Sequence, residues 1–243
     1  MKSGLTLVSI STSAMNRPMY NLRSRYEESE AATTHGIGLL LSIIGGYILL
    51  HMTYSYANPL LTSLCGVYVI TLTMVYLAST LSHLYLFKHI NPFLRRCDQA
   101  FIYLLIVGTA TPFMYFLLRD QSISFTVKLS IVIFLWLLAL IGCISKLLFS
   151  HNLNNVDVKL YLILGWIESL TILLIQSSLT PNIINLMIMG GILYSVGTVF
   201  LVLDWRKYHF HTIWHILVMA ASIAHFHAIV LLAMHANSIP LDS

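Results

Sequence analysis

The stretch HTIWHILVMAASIAHF, residues 211–226, opens an apolar run that continues without an acidic or basic side chain other than histidine to Met234. A helix needs about 20 such residues to cross the hydrocarbon of a bilayer. The apolar positions do not alternate with polar ones, so the run is a helix rather than a barrel strand. Its head carries His211 and His215, four apart and therefore one turn apart on a single face. That spacing suits two ligands of one metal ion, and it lies where hydrocarbon begins.

Runs of the same kind fill the chain. Its 243 residues are 58% hydrophobic and 9% charged, with mean hydropathy +0.82, whereas a soluble domain carries about 25% charge. So few polar groups cannot cover a soluble globule. Backbone groups inside lipid must all be paired within the protein, and the composition predicts an all-α integral membrane protein. Cys65, Cys97 and Cys143 show no paired spacing, so no disulfide framework is implied. The N-terminal residues are polar and mixed, and the short apolar stretch Leu5–Ile10 has no clear cleavage site after it. The expected layout is a cytoplasmic tail at 1–26, one membrane domain at 27–236 and a short C-terminal tail at 237–243.

Seven spans are expected: Thr34–Tyr54, Leu60–Leu86, Gln99–Leu118, Ser124–Leu148, Lys159–Leu179, Asn182–Leu203 and His211–Met234. Turn residues such as Ala57-Asn58-Pro59, Arg119-Asp120-Gln121 and Thr180-Pro181-Asn182 mark the joins. Cationic side chains set the orientation. Lys2, Arg17, Arg23, Arg25, Lys88, Arg95, Arg96, Lys146, Lys159, Arg206 and Lys207 fall on one side, and only Arg119 and Lys128 on the other. The N-terminus is thus expected inside and the C-terminus outside. His83 then closes the second span, Asp98 opens the third and His211 opens the seventh, all at the cytoplasmic depth.

Three imidazoles, His83, His211 and His215, can bind Zn²⁺ and leave a fourth position for water. Asp98 can hold that water and take its proton. Ser79, one turn before His83 on the same face, can orient Asp98 or donate to a developing oxyanion. Plainer roles exist for each: interfacial histidines, Asp98 as the cap of the third helix, and Ser79 bonded back to its own helix. Cys97 is either a further ligand or a small interfacial residue. A site at this depth faces acyl chains, so membrane lipid is the expected partner and nucleic acid is not.

At these residues the chain resembles the hemolysin III family of the progestin and adipoQ receptor superfamily, which includes the adiponectin receptors. The shared features are SxxxH at Ser79–His83, Asp98, HxxxH at His211–His215, and the stretches THGIG (34–38), DQAFIYLLIVGTATPF (98–113) and HTIWHILVMAASIAHF (211–226). The similarity runs over about residues 26–234. It implies a seven-helix bundle with the N-terminus inside and zinc on His83, His211 and His215. It also implies Asp98 reaching zinc through water, with Ser79 as its companion. Relatives are linked to hydrolysis of ceramide-type amides, and bacterial members to cytolysis and membrane-lipid homeostasis; a bacterial plasma membrane is the expected location. Two positions depart from the family pattern. Ala31 stands where a Glu-x-x-Asn motif beginning at Glu28 has its Asn, and Gln99 follows Asp98 where bacterial members often have His.

Several residues lie outside the resemblance. Glu168 falls mid-span in the fifth helix and is expected to be either a functional group or a bundle-facing carboxyl. His225 shares the face of His211 and is expected to line a cavity, meet Glu168 or sit satisfied in the core. Pro112 is expected to kink the third helix and free a carbonyl, and Trp205 and Tyr208 to anchor the interface. Three functions compete: a zinc-dependent hydrolase of a lipid amide or ester, a pore-forming cytolysin, and a non-enzymatic sensor braced by zinc.

Overall fold

The computed structural model describes residues 17–84, 91–149, 155–203 and 209–238, which are helical apart from tight turns. The helices are α1 (Arg17–Ser55), α2 (Pro59–His83), α3 (Asn91–Ala110), α4 (Met114–Arg119), α5 (Phe125–Phe149), α6 (Asn155–Leu174), α7 (Pro181–Val202) and α8 (Phe210–Ser238). Residues 1–16 of the expected tail, the cations Lys88, Arg206 and Lys207, the anchors Trp205 and Tyr208, and residues 239–243 lie outside the described residues.

Local chemistry accounts for most helix ends. Asn58 caps α2, its side chain accepting from the Leu61 backbone N–H at 3.0 Å, and Pro59 occupies the first turn. Pro112 does more than kink the third span: a 3-10 turn at Thr111–Phe113 separates α3 from α4. Two starts differ from the sequence reading. α1 reaches back to Arg17, well ahead of Thr34. α3 begins at Asn91 rather than near Gln99, with Pro92 in its first turn, where a missing N–H and a preset φ favour helix initiation. Asp98 therefore sits about two turns inside α3 and does not cap its start.

Among the described residues, six helical segments are long and apolar enough to cross a membrane: Tyr26–Ser55, Pro59–His83, Pro92–Arg119, Phe125–Phe149, Pro181–Val202 and Phe210–Ser238. α6 differs because it carries Asp157, Lys159 and Glu168 within twenty residues. The first of these is partnered: Lys146 of α5 donates to Asp157 at 2.6 Å, both side chains buried.

α3 is the central helix, packed against α2, α5 and α6. Around it run α1 and α2, then α5, α6, α7 and α8, with α8 returning to α1. The polarity is inverted relative to a soluble globule. Leu40, Ile44, Ile141 and Leu170 face outward, while His35, Ser79, His83, Glu168, His215 and His225 are buried. This is the distribution that lipid on the outside requires. Glycine permits the closest approaches: a Cβ at Gly38 of α1 would run into the Tyr76 ring of α2, and one at Gly190 of α7 into the His225 ring of α8.

Candidate metal centre

The C-terminal end of α2, the second turn of α3 and the first turn of α8 meet beneath the N-terminal half of α1. α2 ends at His83, buried in its last turn. α8 brings His215, buried, and His211, half-buried. Residue His209 turns the chain into α8 with φ 69°, and its carbonyl accepts from the Ile213 N–H at 2.9 Å.

One potential ligand atom from each of His83, His211 and His215 lies within 4.8 Å of the others, so the three could hold a metal ion. His83 Nε2 and His211 Nε2 stand 3.4 Å apart. The His211 and His215 ring centroids are 4.5 Å apart, as their spacing on one face requires.

Residues of α1 set the tautomers of two of these rings. Glu28 Oε2 lies 2.8 Å from His83 Nδ1. A carboxylate only accepts, so the proton sits on Nδ1 and the Nε2 lone pair faces His211. Arg95 of α3 donates to the other Glu28 oxygen at 2.5 Å and fixes that carboxylate. Thr34 donates its one hydroxyl proton to the carbonyls of Glu30 and Ala31, at 2.9 and 3.0 Å. It therefore accepts from His215 Nδ1, 3.3 Å away, which leaves His215 Nε2 bare. One turn before Thr34 on α1, Glu30 accepts from Thr212 of α8 at 2.8 Å and pairs with His209 at 3.1 Å.

Asp98 approaches from α3, half-buried. Ser82 donates to its Oδ2 at 3.5 Å, and Ser79 faces the same carboxyl. The Ser79 hydroxyl is also bonded to His35 Nδ1 at 2.6 Å. His35 in turn stacks on His215, with centroids 3.7 Å apart and planes at 16°. The structure thus gathers every residue singled out for the site: Ser79, His83, Asp98, His211 and His215. Glu28, Thr34, His35, Ser82 and Arg95 had no such role in the sequence reading. A carboxylate two residues from another acid at the head of the first span, and THG immediately after, were the available signals. Cys97 is buried near Asp98 but is not among the clustered ligands. Ala31, fully buried, keeps α1 close to this end of the bundle.

Below the cluster opens a cavity of about 730 Å³. His35, Ser79, His83, Asp98, His211 and His215 line one part, while Glu168, Tyr194 and His225 line another. Its size is that of a small-molecule or lipid-chain pocket. Chemically the arrangement offers converging imidazoles, a carboxylate beside them and an enclosed space lined largely by apolar side chains.

Comparisons with known proteins give the family. Residues 24–226 match the family described as haemolysin-III related. The chain is 34% identical to the hemolysin-3 homolog of Bacillus subtilis over 205 residues, 84% of this chain and 93% of that protein. It is 33% identical to hemolysin-3 of Bacillus cereus, over 84% of this chain and 90% of the relative. The human monocyte to macrophage differentiation factor is 25% identical over 210 residues, 84% of this chain and 83% of its own length. The chain belongs to the haemolysin-III related family, within the progestin and adipoQ receptor superfamily, and is an integral membrane protein.

Proposed function

We propose that this haemolysin-III related protein is a zinc-dependent hydrolase acting on an amide or ester of a membrane lipid. The observation that carries the proposal is the His83–His211 spacing of 3.4 Å between Nε2 atoms. Two nitrogens bound to one tetrahedral zinc at about 2.0–2.1 Å lie roughly 3.3 Å apart. His83, His211 and His215 would hold the ion. Bound there, zinc would supply Lewis acidity, the means by which water becomes a nucleophile at neutral pH.

The chain's own groups supply the rest. Asp98 takes the proton from the attacking water and later returns it to the leaving amine or alcohol. Ser82 and Ser79 hold the Asp98 carboxyl in place from one side. His35 tethers Ser79 beside that carboxyl, its Nδ1 2.6 Å from the hydroxyl. The cavity accepts the acyl chain and excludes bulk water.

The same proposal takes α6 as a seventh span beside the six apolar ones, with the N-terminus inside, the C-terminus outside and the zinc on the cytoplasmic side of a bacterial plasma membrane. Support comes from the eleven-to-two division of Lys and Arg. A cysteine introduced at Ser243 should react with an impermeant reagent on intact cells, and one at Ser3 should not. Reverse labelling moves the site to the outer leaflet.

Hydrolysis is tested with zinc-loaded protein on a panel of long-chain lipid amides and esters. Asp98→Asn should lower the rate about 100-fold or more, a usual acid–base contribution, while the fold and zinc persist. Asp98 does not cap α3, so the substitution reads proton transfer rather than helix capping. Undiminished turnover in the Asn variant would remove Asp98 as the base. The name of the Bacillus relatives favours a cytolysin as a second reading. Dye release from lipid vesicles by wild type, unaffected by Asp98→Asn, would support it.

A further inference from the structure

Two helical turns beneath the histidines lies a second set of polar groups that the proposed hydrolysis does not use. Tyr76 is seven residues before His83 on α2, and Ser222 seven residues after His215 on α8, each about 10 Å along its helix. Tyr161 of α6 donates to the Gln99 carbonyl at 2.8 Å, which levels it with Asp98. Gly165 then lies against Ile106, so α6 descends alongside α3. Glu168, seven residues beyond Tyr161, falls at the same second depth, about 10 Å down.

The hydrogen bonds at this depth leave several groups over, the buried His225 Nδ1 among them. Tyr76 donates to Ser222 Oγ at 2.9 Å, and Tyr194 Oη lies 2.8 Å from the same oxygen. Either oxygen of this second contact can be the donor; where Ser222, having accepted from Tyr76, gives its own proton to Tyr194, the Tyr194 hydroxyl proton is free for the cavity that its side chain lines. Glu168 is 5% exposed, lines that cavity, and lies within electrostatic reach of Tyr194. Among the described residues no hydrogen bond reaches its carboxyl. A buried carboxyl beside a plain alkyl chain loses water without a replacement partner.

We infer that Glu168 and Tyr194 form a second, deeper subsite of the cavity, which takes a hydroxyl carried partway along the acyl chain of a lipid ligand. An alcohol donates one hydrogen bond and accepts others, so it matches an acceptor at Glu168 and a donor at Tyr194 together. An ammonium would satisfy Glu168 but leave the Tyr194 donor facing a cation. The depth sets the position: about 10 Å corresponds to roughly eight carbons of extended chain, with bonds of about 1.5 Å advancing about 1.3 Å each. The substrate class narrows from a lipid amide or ester to one whose acyl chain is hydroxylated near its middle. This deepens the proposed hydrolase reading and rests on it for the word substrate; the subsite itself does not depend on turnover.

The test measures binding. Trp166 and Trp214 line the cavity, so tryptophan fluorescence of the full-length protein in one detergent reports its occupation. The probes are 10-hydroxyoctadecanoate, octadecanoate and 10-aminooctadecanoate. Wild type should bind the hydroxylated chain about tenfold more tightly than the plain one, the usual worth of one buried hydrogen bond. Glu168→Leu should erase that preference, Tyr194→Phe should reduce it, and Glu168→Gln, which still accepts, should keep most of it. Equal affinity for hydroxylated and plain chains in wild type overturns the inference. So does a preference that survives in Glu168→Leu, a stronger preference for the amine, or the absence of saturable binding by either chain. A protein that binds with this preference yet hydrolyses nothing overturns the hydrolase reading and leaves the subsite standing.

Discussion

The two ends of the bundle both carry histidines, and they use them differently. At the end formed by the start of α1, the finish of α2 and the start of α8, histidines meet other side chains from distant helices. His83 meets Glu28, His215 meets Thr34 and His35, and His211 meets His83. At the opposite end the partners are mainly backbone carbonyls. His235 Nε2 donates to the Ser178 carbonyl at 3.1 Å, and Lys128 donates to the Leu118 carbonyl at 3.0 Å. A histidine bonded to a carbonyl closes an irregular turn, which buried backbone requires. A histidine whose Nδ1 is engaged by an acceptor, with Nε2 turned towards a second and third imidazole, is oriented as a ligand. The partner of the ring therefore says more about its role than burial or membrane depth does.

Zinc content should divide the two ends most sharply. Purified wild type should carry about one zinc per chain. His211→Ala with His215→Ala should carry none, and His235→Leu should keep the wild-type amount. Equal zinc in wild type and the double variant would break the comparison at its root.

A smaller effect is expected at Glu28, which touches no proposed substrate and acts through His83. Glu28→Ala should weaken zinc affinity about 10- to 100-fold in a competition titration with a chelator, the usual cost of losing an orienting partner. Glu28→Gln, whose amide oxygen still accepts from His83 Nδ1, should recover most of it. Identical losses for both variants would mean that Glu28 acts through charge alone. The smallest effect belongs to the far end. His235→Leu should cost about 1 kcal/mol of stability, one hydrogen bond, read as a modest fall in melting temperature. A large loss there would show that the carbonyl contact braces the bundle.

The sequence made some of this legible for reasons that the coordinates explain. The i, i+4 spacing fixes a helix face whatever the surroundings, so His211 and His215 could be paired from the string alone. Loop charges place His83 and Asp98 at one depth, but depth gives no lateral neighbour. The α1 residues were missed because Glu28, Thr34 and His35 lie in or next to a polar segment that reads as a tail until the helix is seen to extend back to Arg17. By sequence Asp98 opens a helix, because apolar residues begin just after it; Pro92 starts that helix earlier. Glu168 stood out as an acid deep in an apolar run. Its companions Tyr76, Tyr194 and Ser222 did not, since tyrosine and serine are ordinary in membrane helices and only packing brings these three to one depth. α6 itself was legible as an apolar stretch, although its three charged residues set it apart from the six helices that meet a simple length and hydropathy standard.

Zinc K-edge absorption on the purified protein reads the proposed ligands His83, His211 and His215 directly. The spectrum should show a shell of three imidazole nitrogens at about 2.0–2.1 Å with one further oxygen, and His83→Ala should lose one imidazole's scattering. A sulfur shell at about 2.3 Å would place Cys97 on the metal instead, and a spectrum unchanged by His83→Ala would contradict the assignment.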